Sequence, residues 1–201
     1  MSDLHIPDPA LYRAFADALG EPITREKLLS ITHLEWNEYM AENDPDSWEP
    51  VDNLTGIEHC ANLRVLSFDG NSVQSIAPLA HCDALEELWL VDNAVRDLAP
   101  LRGKGRLHTL VVDMCYPLDD IAPLAGLPEL SYVNIGSTSV QDITPLLDLP
   151  KLSRASLYSL KLDMAEDTAN RAALKELLRR GVEIHMRDIK DLQAEVAREA
   201  A

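Results

Sequence analysis

Segments of the form Leu-x-x-Leu-x-Leu recur along this chain at an almost constant interval, and such an interval leaves few folds open. Leu63-x-x-Leu66-x-Phe68, Leu85-x-x-Leu88-x-Leu90, Leu107-x-x-Leu110-x-Val112, Leu130-x-x-Val133-x-Ile135 and Leu152-x-x-Ala155-x-Leu157 begin at steps of 22, 22, 23 and 22 residues. The second half of each unit repeats as well. Val73, Val95, Leu118 and Val140 are each followed three residues later by Ile76, Leu98, Ile121 or Ile143, and then by Pro-Leu at 78–79, 100–101, 123–124 and 145–146. One extra residue near Tyr116-Pro117 accounts for the step of 23.

The pattern predicts a coil that completes one circuit per repeat. A short strand turns alternate residues such as Leu66 and Phe68 inward, and the chain returns through a Pro-containing turn that sends Ile76 and Leu79 inward again. No single circuit buries its hydrophobes, so circuits stack into a curved solenoid with a parallel sheet on the concave face. Asn71 and Asn93 hold equivalent positions, where an inward amide bonds backbone groups of adjacent coils. Later coils place Cys115, Thr138 and Leu160 there, so the C-terminal coils are expected to be less regular.

The pattern Leu-x-x-Leu-x-Leu-x-x-Asn-x-Val-x-x-Ile-x-Pro-Leu resembles the 22-residue leucine-rich repeats of internalin-type bacterial proteins over roughly residues 54–162. Ile6-Pro7-Asp8-Pro9-Ala10-Leu11, Ala18-Leu19-Gly20, Ile23-Thr24-Arg25-Glu26 and Leu28-Leu29 look like the helical N-terminal cap that often precedes such repeats. The expected fold is an α/β leucine-rich-repeat solenoid with a concave parallel sheet, a helical N-cap and a helix-strand-helix C-terminal cap.

Exposed first and last coils would leave raw apolar edges, and the flanks supply covers. Asp8 is an N-cap with Pro9 at the first helical position, and Leu11, Phe15 and Leu19 form a stripe before Gly20. Thr24 caps a second short helix that leads into Ile31-x-x-Leu34-x-Trp36. Beyond the repeats, 168–180 reads as a helix with Ala173, Leu174, Leu177 and Leu178 on one side, 182–186 as an edge strand, and Asp188 as the cap of a last helix with Ile189, Leu192 and Val196 inward. The chain is read as one domain over 1–201: cap and first strand at 1–36, an acidic insertion at 37–53, repeats at 54–162 and a C-terminal cap at 163–201.

The insertion carries Glu38, Glu42, Asp44, Asp46, Glu49 and Asp52, with Trp48 among them, and no Lys or Arg occurs between Lys27 and Arg64. It reads either as a solvated loop or as an acidic lip beside the concave sheet. The whole chain has 34 acidic and 18 basic residues, a net charge of −16, which disfavours nucleic acid and anionic membranes. The sequence opens without a basic and apolar leader and has no membrane-length apolar run, which predicts a cytoplasmic protein.

His59-Cys60 and His81-Cys82 recur one repeat apart, but Cys60 and Cys82 hold the position of Leu127 and Leu149 and read as small buried hydrophobes rather than metal ligands. Cys115 replaces the ladder Asn and reads as structural too. No catalytic motif is present, Asp119-Asp120 reads as an exposed turn, and no catalytic residue, metal or cofactor is expected.

Function is therefore sought on the concave sheet, whose outward columns follow from the register. Trp89, Val111, Met114, Tyr132 and Tyr158 are expected to project to solvent among Asp69, Glu87, Asp92 and Asp113, with Glu35 and Arg154 on the same face. Aromatic anchors ringed by charge suit protein recognition. The expectation is a protein-binding module for a basic protein partner, either an inhibitor or immunity protein against a cationic toxin or nuclease, or an adaptor in a bacterial complex; a hydrolytic or metal-dependent enzyme is the remaining alternative. Oligomeric state is not legible.

Overall fold

The computed structural model describes residues 4–37 and 49–200. Two helices, α1 (Pro9–Leu19) and α2 (Arg25–Ser30), precede strand β1 (His33–Glu35). Five repeats then contribute β2 (Val65–Ser67), β3 (Glu87–Trp89), β4 (Thr109–Val111), β5 (Tyr132–Asn134) and β6 (Arg154–Ser156), and the chain closes with α3 (Ala169–Arg179), β7 (Glu183–His185) and α4 (Ile189–Glu199). The seven strands lie side by side in chain order, all parallel, with Leu34, Leu66, Leu88, Leu110, Val133, Ala155 and Ile184 in one cross-strand row. That row is buried because alternation turns the middle residue of each three-residue strand into the coil.

Each strand is short for a reason visible in the backbone. Gly70, Asp92, Met114, Ser137, Ser159 and Asp188, at equivalent positions, all have positive φ. The left-handed turn aims the N–H at the next coil: Gly70 donates to the Val91 carbonyl (2.8 Å), Asp92 to Asp113 (2.9 Å), Met114 to Gly136 (3.0 Å) and Ser137 to Tyr158 (2.8 Å). The conformation costs a non-glycine residue roughly 1–2 kcal/mol, and the repeated inter-coil bond offsets it. On the return side, the Pro-Leu signals form short 3₁₀ helices at Ala77–His81, Ala99–Leu101, Ala122–Leu124 and Thr144–Asp148, with proline in the first turn where its missing N–H is harmless. Leu79, Leu101, Leu124 and Leu146 are fully buried beneath them.

Asn71 and Asn93 form the expected ladder. Asn93 accepts from Val73 N–H (2.9 Å) and donates to the carbonyls of Phe68 (2.8 Å) and Val91 (3.1 Å), and Asn71 does the same for Val51, Trp36 and Asp69. The Cys115 thiol takes over the role with a bond to the Leu90 carbonyl (3.2 Å), whereas Thr138 turns to its own coil, bonding the Ile135 carbonyl (2.8 Å). The expected C-terminal irregularity is confined to the return side. Sheet pairing continues unbroken through β7, but no 3₁₀ helix follows β6, and Asn170 of α3 supplies the amide that serves Ile143 N–H and the Gln141 carbonyl.

The caps form where the sequence places them. Asp8 accepts from Leu11 N–H (2.8 Å) and also from Asp52 (2.9 Å) and Asn53 (3.0 Å), fastening α1 to the edge of the first coil. Thr24 and Thr168 cap α2 and α3. Asp188 precedes α4 but makes no side-chain cap bond, because the left-handed turn shared by every coil dictates its backbone at φ 60°. Glu38, Glu42, Asp44, Asp46 and Trp48 of the acidic insertion lie outside the described residues. Of its ends, Glu49 accepts the Trp36 indole N–H through its carbonyl (3.3 Å). Among the described residues no helix is long and apolar enough to cross a membrane.

Candidate protein-binding face

The outward residues of the sheet stand in three columns. The first runs His33, Val65, Glu87, Thr109, Tyr132, Arg154, Glu183, and the second Glu35, Ser67, Trp89, Val111, Asn134, Ser156, His185. The third follows the strands with Asn37, Asp69, Val91, Asp113, Gly136, Tyr158 and Arg187. Glu35, Arg154 and Tyr158 are exposed, and Glu87, Trp89 and Tyr132 are half-buried. The Trp89 indole N–H donates to the Glu87 carboxylate (3.0 Å), which holds the ring along the sheet rather than free in solvent. Arg154 lies 5.8 Å from the Tyr132 ring centroid and bonds Glu183 (3.0 Å), and Arg187 stands in the same relation to Tyr158 at 5.8 Å. Guanidinium planes over phenol rings are favourable cation–π contacts.

Four expectations need correction. Val111 is 2% exposed, not projecting. It sits in one row between Trp89 and Asn134, and a short side chain flanked by two longer ones on a concave surface is shaded by them. Asp92 and Met114 belong to the left-handed turns at the rim, not to the sheet, because inter-coil bonding claims their backbone. Asp69 is less a free charge than a structural acceptor. Its carboxylate receives Val91 N–H (2.8 Å), as the Asn37 amide oxygen receives Asp69 N–H (2.8 Å) one coil earlier.

This second ladder was missed because its members, Asn, Asp and Val, share no chemistry at equivalent positions. Burial pushes the Asp69 carboxyl above the usual Asp value, with the Val91 N–H opposing. Burial likewise raises Asp113, opposed by bonds to Met114 N–H and Ser137. Gly136, between Asp113 and Tyr158, has a reason to be glycine: a Cβ there would come within 2.8 Å of the Asp113 carboxylate and 3.1 Å of the Tyr158 carbonyl.

The arrangement is polar along the solenoid axis. Across β1 to β4 and their rim turns the face bears Glu35, Asp69, Glu87, Asp92 and Asp113, with no Lys or Arg among the described residues. Arg154 and Arg187 enter only at β6 and just after β7. The contribution of β7, with Glu183, His185 and the nearby Arg187, escaped the sequence reading because α3 replaces the usual return and breaks the 22-residue spacing.

Cys60, Cys82 and Cys115 are free and buried, and burial pushes their thiols up to about 12, 11 and 11 respectively. Lys104 occupies the position of Cys60, Cys82, Leu127 and Leu149 in its own coil. It is 3% exposed and threads its ammonium out to the Ala80 carbonyl (2.8 Å) and Asp83 (3.0 Å).

Comparison with known proteins agrees with this architecture. A family model described as leucine-rich repeats, two copies, matches residues 61–103. An internalin (inlF) from Listeria monocytogenes superposes with a TM-score of 0.64 at 22% identity, covering 90% of this chain and 55% of its own. Internalin C2 (inlC2) of the same organism gives 0.59 at 24% identity, covering 91% and 87%. The functional domain of InlJ, also from Listeria monocytogenes, gives 0.55 at 16% identity, covering 82% and 31%. The chain thus spans about half the length of the first of these. No curated protein matches the sequence. The likeness establishes the internalin-type leucine-rich-repeat fold.

Proposed function

We propose that this leucine-rich-repeat solenoid is a protein-binding module that docks a basic protein partner on its concave face. The observation that carries the reading is the combination of half-buried or exposed rings, Trp89, Tyr132 and Tyr158, with a run of four strands whose outward charges are all acidic. Ring anchors fixed on a rigid sheet lose little side-chain freedom on binding, and a one-signed field accelerates encounter with a cation. Within this reading, a stoichiometric inhibitor or immunity protein for a cationic toxin or nuclease is the most specific role, acting in the cytoplasm: carboxylates would lie where the target's substrate phosphates otherwise bind. One observation favours an adaptor instead. The Asp69 carboxylate accepts Val91 N–H of the next coil and that of Asp113 accepts Met114 N–H, so part of the acidity serves the fold.

The test is isolation of the native partner and calorimetric titration at low and high salt. The inhibitor reading expects a basic protein whose binding weakens by at least about tenfold between low and moderate salt. Replacement of Trp89 and Tyr132 by Ala should cost a further factor of about ten or more with folding intact. A neutral or acidic partner, or salt-insensitive affinity, refutes the inhibitor; unchanged affinity in the double variant refutes the concave face.

A further inference from the structure

Of the rings on the outward columns, Tyr132 and Tyr158 each carry a guanidinium of their own chain. Tyr132, Arg154 and Glu183 stand in one cross-strand row, with Arg154 over the phenol ring at 5.8 Å and its Nε bonded to the Glu183 carboxylate (3.0 Å). Arg187 lies over the Tyr158 ring at 5.8 Å and bonds its hydroxyl (3.3 Å). A guanidinium suits both positions because it is flat and weakly hydrated, and it stacks on a ring while its edge N–H groups still find an acceptor.

Trp89 has the carboxylate of such a group without the arginine. Glu87 accepts the indole N–H through one oxygen, Oε2 (3.0 Å), while among the described residues nothing bonds Oε1 and no ion pair engages the side chain. The row neighbours of Glu87 are Val65 and Thr109, and those of Trp89 are Ser67 and Val111, so no charge of this chain flanks either residue in its row. Held along the sheet, the half-buried indole shades Val111 to 2% exposure and turns its other side to solvent. We propose that Trp89 and Glu87 together seat one arginine of the partner, its guanidinium stacked on the outer face of the indole and an edge N–H donated to Glu87 Oε1. The inference rests on the concave-face reading above and names one contact within it. Glu87 acts twice: one oxygen fixes the ring, and the other receives the cation. A lysine ammonium, compact and strongly hydrated, meets the carboxylate but has no plane to lay on the ring, so the pair selects Arg over Lys.

Two peptides of equal charge isolate that choice, acetyl-Lys-Arg-Lys-amide and acetyl-Lys-Lys-Lys-amide, since the acidic face attracts both alike. The full chain, labelled with ¹⁵N at tryptophan, is titrated with each at fixed ionic strength. The Trp89 indole N–H resonance, identified by its loss in Trp89→Phe, is the readout, and that of Trp36, a buried ring bonded to the Glu49 carbonyl, is the internal control. The expected result is a saturable Trp89 shift with an affinity at least about threefold higher for the Arg peptide. Glu87→Gln keeps an oxygen for the indole and loses the charge, and it should weaken the Arg peptide by about threefold or more. Equal affinities of the two peptides, an unaffected Glu87→Gln variant, or no Trp89 shift up to about 10 mM peptide each overturn the arginine seat. None of these measurements needs the native partner, whose salt-dependent titration judges the basic-partner reading on its own.

Discussion

Asn93→Ala removes one buried side chain and strands two backbone groups. Asn93 is 6% exposed and is the partner of Val73 N–H at 2.9 Å and of the Phe68 carbonyl at 2.8 Å, while its third contact, the Val91 carbonyl, keeps the Gly70 N–H at 2.8 Å. Each unsatisfied buried group costs about 1–3 kcal/mol, so the loss is about 2–6 kcal/mol. That is a large share of the roughly 5–15 kcal/mol that separates folded from unfolded domains. The assay is equilibrium urea unfolding followed by tryptophan fluorescence and circular dichroism. Asn93→Cys provides the internal control, because the neighbouring coil already uses Cys115: its thiol bonds the Leu90 carbonyl and receives backbone bonds from Asn93 and Val95. The Cys variant should fall between wild type and Ala. Asn71 serves a separate set, Val51 N–H and the Trp36 carbonyl, but stands on the adjacent coil, so the double Ala variant should depart from the sum of the two single effects by about 0.5 kcal/mol or more. A loss below about 1 kcal/mol for Asn93→Ala would refute the ladder as a source of stability.

Asp69→Asn keeps the oxygen that accepts Val91 N–H, as Asn37 shows, and removes a carboxylate that burial disfavours. A raised folded pKa means that wild type is relatively more stable below the unfolded Asp value and loses that advantage as pH rises through the higher folded value. The variant should therefore unfold at higher urea at pH 7 and gain nothing at pH 3; equal gain at both values contradicts the burial argument. Lys104→Leu should change stability by less than about 1 kcal/mol, since Leu127 and Leu149 fill the same position, whereas Lys104→Ala leaves a cavity costing about 2 kcal/mol or more. Denaturation midpoints separate the two. Cys60, Cys82 and Cys115 should resist a thiol reagent at pH 8 in the native protein and react in urea, because burial holds their thiols protonated; fast native labelling of any one would show that its coil opens.

Chemistry that repeats was legible without coordinates, because a residue's role in a stacked coil depends on its position in the repeat. The inward row from Leu34 to Ala155, the Pro-containing returns, the Asn71 and Asn93 ladder and the Asp8 and Thr24 caps all followed from spacing and side-chain type. What spacing does not carry is what neighbouring coils do to one another. Val111 reads as outward and is outward, yet the Trp89 and Asn134 side chains beside it remove it from solvent. Asp69 and Asp113 read as steering charges, and half-burial with backbone N–H partners turns them partly into struts. Asp188 reads as a helix cap and is instead the last left-handed turn of the stack. The cleft that Leu160, Leu162, Met164 and Leu192 line beside α4 left no trace in the linear pattern, since it exists only where the repeat stops and a helix closes the end. Periodicity determined which way each side chain points; lateral packing decided which of the outward ones remain available to a partner.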